Sequence, residues 1–233
     1  MDRYALIHTK MPREFVLLQG TGCRWGKCTF CDYHSDTSDN PFAINEPILR
    51  QVTGQYGVLD IINSGSAMEL DDETISLIRE VVREKHIHTL WFEAHYMYRK
   101  KLADFAQLFA PAKVKFRCGV ETFSPTLRDH WKKGIPTDVT AEDVAKYFQG
   151  VCLLCCTEGE NREHILTDIA LAREHFEWLA GSMSLLGTLC HLAEYRLGRS
   201  RKGKAANSHT VPIIYVTSSL GCCYNRIIHS NYL

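Results

Sequence analysis

Cys23, Cys28 and Cys31 lie within nine residues in a C-x4-C-x2-C arrangement. Thiolates this closely spaced select a soft metal. Gly22 and Gly26 let the backbone wrap around a bound group, and Trp25, Phe30 and Tyr33 interleave aromatic surface. Two kinds of centre suit such a loop. A cubane iron–sulfur cluster normally takes four cysteines, yet the next one in the chain is Cys118. A cluster held here by three thiolates would leave one iron open to a ligand that chelates through an amine and a carboxylate. Zinc would instead take His34 as a fourth donor in a Cys3His site. Three buried, metal-free thiols are the plainest alternative. Clustered spacing in a chain without an export signal weighs against it.

The composition bounds what surrounds this loop. The chain has 233 residues, enough for one sizeable domain. Its 27 Lys and Arg balance its 27 Asp and Glu, so no global charge draws it to nucleic acid or an anionic membrane. A local patch for RNA stays open. Residues 1–10 lack the apolar core of a signal peptide, and no apolar run reaches membrane-spanning length. The ten cysteines are therefore expected to be reduced thiols and metal ligands of a cytoplasmic protein, without a membrane partner.

Short apolar runs at residues 14–20, 58–62, 89–92, 113–120 and 150–156 read as strands. Between them, residues 46–52, 73–85, 99–109, 124–133, a segment opening at Thr140, and 161–179 read as helices. Pro47 fits a first helical turn, and Ser124 is placed to cap the helix that Gly134 stops. Alternating strands and helices imply parallel βαβ units. A closed eight-unit barrel needs roughly 250 residues. The expected fold is therefore α/β, an incomplete parallel (β/α) barrel of five to six units. Residues 1–180 form its core and 181–233 a divergent tail. That tail is expected to hold a helix over residues 183–197, a basic linker and an edge strand over 211–216, leaving the sixth barrel strand missing or improvised. Glu194 is the only acid beyond Gly181.

Ligands gather at the carboxyl ends of parallel strands. Those ends hold the Cys loop, then residues 63–66, 93–95, 121–122 and 157–160, three of them with carboxylates. Cys152, Cys155 and Cys156 read as small apolar residues of a strand rather than as a second metal site, because free cysteine is usually buried. Cys118 is expected in the core. His34, His86, His88 and His95 are expected to be ordinary polar residues, with His34 and His95 near the mouth.

A strand feeding Gly-Cys, then two more cysteines with an aromatic before the last, resembles the radical S-adenosylmethionine (radical SAM) superfamily. The usual spacing there is C-x3-C-x2-C; Phe30 occupies the aromatic place, and the first gap here is one residue longer. The resemblance implies a six-unit partial barrel with a [4Fe–4S] cluster on Cys23, Cys28 and Cys31, and SAM on the open iron. Residues 63–66 lie where the superfamily often has Gly-Gly-Glu holding the SAM amine. The acid is absent, which leaves Ser64 and Gly65 to offer hydroxyl or backbone oxygens. Glu93 resembles the third-strand Glu that contacts SAM in coproporphyrinogen-dehydrogenase-like members. Glu121 and Lys133 stand twelve apart, as do the acid and base that address SAM in those and in Elongator-catalytic-subunit-like members. Lys in place of Arg loses a bidentate fork.

By this resemblance the chain is an enzyme that cleaves SAM to a 5′-deoxyadenosyl radical. Its partners would be a flavodoxin- or ferredoxin-like reductant and a substrate that is RNA or a nucleoside. The other readings are a non-enzymatic Cys3His zinc module, which leaves the strand-end carboxylates unexplained, and a degenerate relative that binds a cluster without turning over.

Overall fold

The computed structural model describes residues 3–9, 11–31, 33–155, 160–185, 188–196 and 217–218. One sheet runs in chain order through β1 (Tyr4–Ile7), β2 (Arg13–Leu18), β3 (Val58–Asn63), β4 (Thr89–Ala94), β5 (Lys113–Glu121), β6 (Gly150–Cys155), β7 (Trp178–Leu185), β8 (Thr188–Arg196) and β9 (Thr217–Ser218). Strands β2 to β7 are parallel. β1 adds antiparallel to β2, and β8 and β9 add antiparallel beyond β7. The crossovers carry α1 (Pro41–Leu49), α2 (Asp72–Glu84), α3 (Leu102–Gln107), α4 (Pro125–His130), α5 (Ala141–Ala145) and α6 (Arg162–His175). This is the incomplete parallel (β/α) barrel expected, with six parallel strands.

The strands are buried on both faces, so they read as apolar runs rather than as strict alternation. Leu59, Ile61, Leu90, Phe92 and Val120 belong to the main core, together with Leu77, Ile78 and Val81 of α2. Asp71 caps α2 through the Thr74 N–H at 2.7 Å. The other face of the sheet carries a buried ionic cluster among apolar side chains. Buried Asp60 on β3 accepts from Arg13 Nε of β2 at 3.0 Å, and from Arg117 Nη1 and Nη2 of β5 at 3.0 and 2.5 Å. Both guanidiniums lie over the Trp178 ring of β7, 4.9 and 4.7 Å from it. A Cβ at Gly150 would come within 3.1 Å of the Arg117 side chain and of the Trp178 carbonyl, so the bare backbone admits both. Burial alone would raise the Asp60 carboxyl, but Arg117 and Arg13 outweigh it and hold it below its ordinary range.

The structure departs from the sequence reading at both ends of the sheet. α6 stops at His175, and Phe176 turns extended, because Trp178 to Leu185 pair in parallel register with β6 from Gly150↔Trp178 onward. The sixth parallel strand is therefore present. The helix expected over residues 183–197 is instead the end of β7 and the strand β8, paired from Leu185↔Thr188. A short apolar run does not distinguish the two periods, and the open edge of β6 favours strands. The strand expected over 211–216 lies outside the described residues. The edge strand β1, a four-residue apolar run that is half-buried at its ends and exposed at Ala5 and Leu6, was not expected.

Candidate active site

The carboxyl ends of the strands meet at one cleft. Cys23, Cys28 and Cys31 line it with Tyr33, Gly65, Glu93, His95, Gly119, Glu121, Lys133 and Cys152. The sequence-derived positions Cys23, Cys28, Cys31, Gly65, Glu93, Glu121 and Lys133 are thus brought together. Ser64 is not. It is buried, and its hydroxyl accepts from the Gly20 N–H at 3.0 Å, so Ser66 lines the cleft beside Gly65 in its stead. The His34 side chain, Cys156 and residues 157–159 lie outside the described residues.

Glu121 ends β5 with φ 66°, at a register shift between β5 and β6. A non-glycine residue seldom adopts that conformation, and a bulge at a strand end re-aims its side chain. Here the carboxylate meets Lys133 Nζ at 2.9 Å, both groups buried. Burial would depress the Lys133 ammonium, but Glu121 outweighs it and holds the group above its ordinary value. A Cβ on Gly119 would sit 2.9 Å from Glu121 Oε1, 3.2 Å from Lys133 Nζ and 3.4 Å from Glu93 Oε1. Three charged groups therefore converge over a bare glycine. One cation and two carboxylates side by side complement a zwitterion that carries an ammonium and a carboxylate.

The Cys loop is docked onto the segment that carries Lys133. Trp25 donates its indole N–H to the Lys132 carbonyl at 2.7 Å and stacks on His95 at 5.5 Å. The Thr29 N–H reaches the Trp131 carbonyl at 3.1 Å. Gly134, at φ 70°, leaves the room that Trp25 fills, since a Cβ there would lie 2.1 Å from the ring. His95 donates from Nε2 to the Lys133 carbonyl at 2.7 Å and accepts at Nδ1 from the Met97 N–H at 3.2 Å. These partners fix one neutral tautomer. Burial, and then Lys133, push its pKa down to about 4.

Burial raises the Cys28 thiol and pushes that of Cys31 up to about 11, with Lys133 pulling both the other way. Iron would displace those protons. Among the described residues no three Cys, His, Asp or Glu groups are placed to share one metal ion. A cubane makes a different demand, because each of its three thiolates holds a different iron. Three free thiols on one cleft wall, beside a cation and an open glycine, fit such a cluster and a zwitterionic ligand.

Cys152 was expected only as strand filling. Its thiol lines the cleft, donates to Glu93 Oε2 at 3.5 Å, and is held protonated by burial and the Glu93 charge. Strand alternation could have shown that it faces inward. Trp25 lay inside the motif but carried no expected role, and Glu69 was not singled out at all.

A solved structure of similar fold is the queuine lyase from Clostridium spiroforme bound to SAM and queuine. It matches at TM-score 0.75 and 38% identity, over 79% of this chain and 81% of that one. No protein-family model matches the chain, and no curated protein matches it. With an incomplete barrel, a three-thiol loop after its first parallel strand and this likeness, the chain belongs to the radical SAM superfamily. It is an enzyme whose cofactors are SAM and a [4Fe–4S] cluster, and it requires a reductant and a substrate. Among the described residues no helix is long and apolar enough to cross a membrane.

Proposed function

We propose that the chain is a radical SAM lyase acting on queuine or a closely similar modified base. The likeness to a queuine lyase, extending over most of both chains, carries this reading. When held by this cleft, the cluster and SAM would supply the radical chemistry that removes a hydrogen atom from the substrate. In our reading Cys23, Cys28 and Cys31 are the cluster ligands. Lys133 takes the carboxylate of SAM. Glu121, Glu93 and the Gly65 backbone compete for its amine and ribose, which the convergence over Gly119 supports. Ser64 drops out of this set because its hydroxyl already serves Gly20. The docked Cys loop orients SAM and excludes water.

The reductant is a flavodoxin- or ferredoxin-like protein, and a nucleoside-type base is the substrate class; RNA is the broader alternative carried by the Elongator-like residues. The cytoplasm, with its reducing thiol pool, suits the free thiols. In our reading residues 1–180 carry the chemistry, as the described cleft residues all lie before 181, while residues 181–185 and 188–196 extend the same sheet as β7 and β8. Limited proteolysis would check where the tail begins: cleavage beyond residue 196 with the preceding sheet intact is expected, and uniform resistance would contradict it.

The direct test is anaerobic incubation of the cluster-loaded chain with SAM, dithionite and queuine. Queuine should disappear in step with 5′-deoxyadenosine formation. If 5′-deoxyadenosine forms at the same rate without queuine, and queuine is not consumed, the substrate assignment is wrong.

A further inference from the structure

One acid that the sequence reading left unused stands beside the Cys loop. Glu69 lies on the short turn after β3 and is half-buried. Its Oε1 accepts from the Arg24 N–H at 3.0 Å and from the Tyr98 hydroxyl at 2.7 Å. Its Oε2 accepts from the Ser66 N–H at 2.7 Å. One carboxylate thus ties the residue after Cys23, the turn at the end of β3 and the helical turn after β4. The tie has room only because Gly65, at φ 156°, has no Cβ. One built there would lie 2.5 Å from Glu69 Oε2 and 3.5 Å from Cys23 Cα. Ser66 extends the link, since its hydroxyl accepts from the His95 N–H at 3.0 Å.

We infer that Glu69 is a positioning residue that sets the Cys23 segment against the Gly65 backbone, and so fixes the first cluster thiol relative to the backbone that would face SAM. This rests on the radical SAM reading of the cleft. Glu69 accepts three hydrogen bonds and is not among the residues that line the cleft, so it acts as a tie beside the site rather than as an acceptor for the amine. That duty stays with Glu93 and Glu121. Hydrogen bonds to a charged acceptor are stronger than neutral ones; the Ser66 bond closes a local capping box, whereas those from Arg24 and Tyr98 reach 45 and 29 residues along the chain. No neutral side chain can accept all three, because an amide turns a donor toward one N–H.

The test compares Glu69→Gln, Glu69→Ala and Tyr98→Phe with wild type after anaerobic reconstitution. Three quantities are read: iron per chain, SAM affinity, and the change in the reduced cluster's electron paramagnetic resonance spectrum when SAM is added. Glu69→Gln should keep its iron while SAM affinity falls about tenfold, as the loss of one charged hydrogen bond implies. Its SAM-induced spectral change should differ from that of wild type. Glu69→Ala should lose iron as well. Tyr98→Phe should shift the same readouts in the same direction by less, and it keeps the test decisive if Glu69→Ala does not fold. A purely structural tie would lower only the thermal midpoint. Wild-type iron, affinity and spectra in Glu69→Gln and Tyr98→Phe would overturn the inference while leaving the cluster reading intact. A wild-type chain that takes up no iron would overturn both.

Discussion

Lys133 and Glu121 are buried together, which makes each dependent on the other. Removing the ammonium in Lys133→Met strands a buried carboxylate, and breaking such a pair costs about 3–5 kcal/mol of stability. Lys133→Arg keeps the charge and should fold nearly as well, yet its longer planar head cannot take the same place above Gly119. SAM affinity of the loaded Lys133→Arg protein is expected to fall about tenfold, measured by equilibrium binding. Unchanged affinity would remove Lys133 from the SAM site.

His95 makes a second prediction at the same scale. Its folded pKa is about 4 against an ordinary 6.5, so below pH 6.5 the unfolded chain takes up a proton that the folded chain refuses. Stability should therefore fall as pH drops from 6.5 toward 4, by roughly 3 kcal/mol in full. Urea unfolding at several pH values would read this, and His95→Gln should flatten the slope across that window. The tautomer that Lys133 and Met97 impose on His95 was not legible in the sequence, because it depends on a carbonyl 38 residues away.

Among the elements, the Cys loop is held less by its own residues than by the turn after α4. Gly134→Ala puts a methyl against the Trp25 ring at a position that also disfavours a side chain, at φ 70°. The variant is expected to fold but to lose at least about half of its iron on anaerobic gel filtration, with Trp25→Ala behaving similarly. Iron retention equal to wild type in both would show that the latch is dispensable.

The strands, most helices and the three thiols were legible because apolar runs, caps and clustered cysteines act locally. The tie from Glu69, the Trp25 latch and the role of Ser64 were not, since each links segments through a side chain and a backbone group far apart in sequence. The helix misplaced at residues 183–197 failed for a related reason: its residues suit either period, and the edge of the sheet decides between them.

At the scale of the whole molecule, an incomplete barrel lacks the strand pairing that would close it. The Asp60 cluster joins β2, β3, β5 and β7 across one face of the sheet, and so takes over part of that task. Asp60→Asn takes the shared carboxylate away from two buried guanidiniums, so a loss of about 3 kcal/mol or more in urea unfolding is expected. Arg117→Lys should lose less, since it keeps a cation beside Asp60. If Asp60→Asn unfolds like wild type, this cluster does not help hold the open barrel together.

The same barrel serves one centre, and everything assigned to the cleft depends on what the three thiols hold. The most direct measurement is iron, sulfide and zinc content of the anaerobically purified chain, followed by 5′-deoxyadenosine formation from SAM and dithionite. Wild type should carry about four irons with matching sulfide and form 5′-deoxyadenosine, and Cys23→Ala, Cys28→Ala and Cys31→Ala should each abolish that formation. One zinc per chain with no sulfide and no 5′-deoxyadenosine would contradict the cluster assignment.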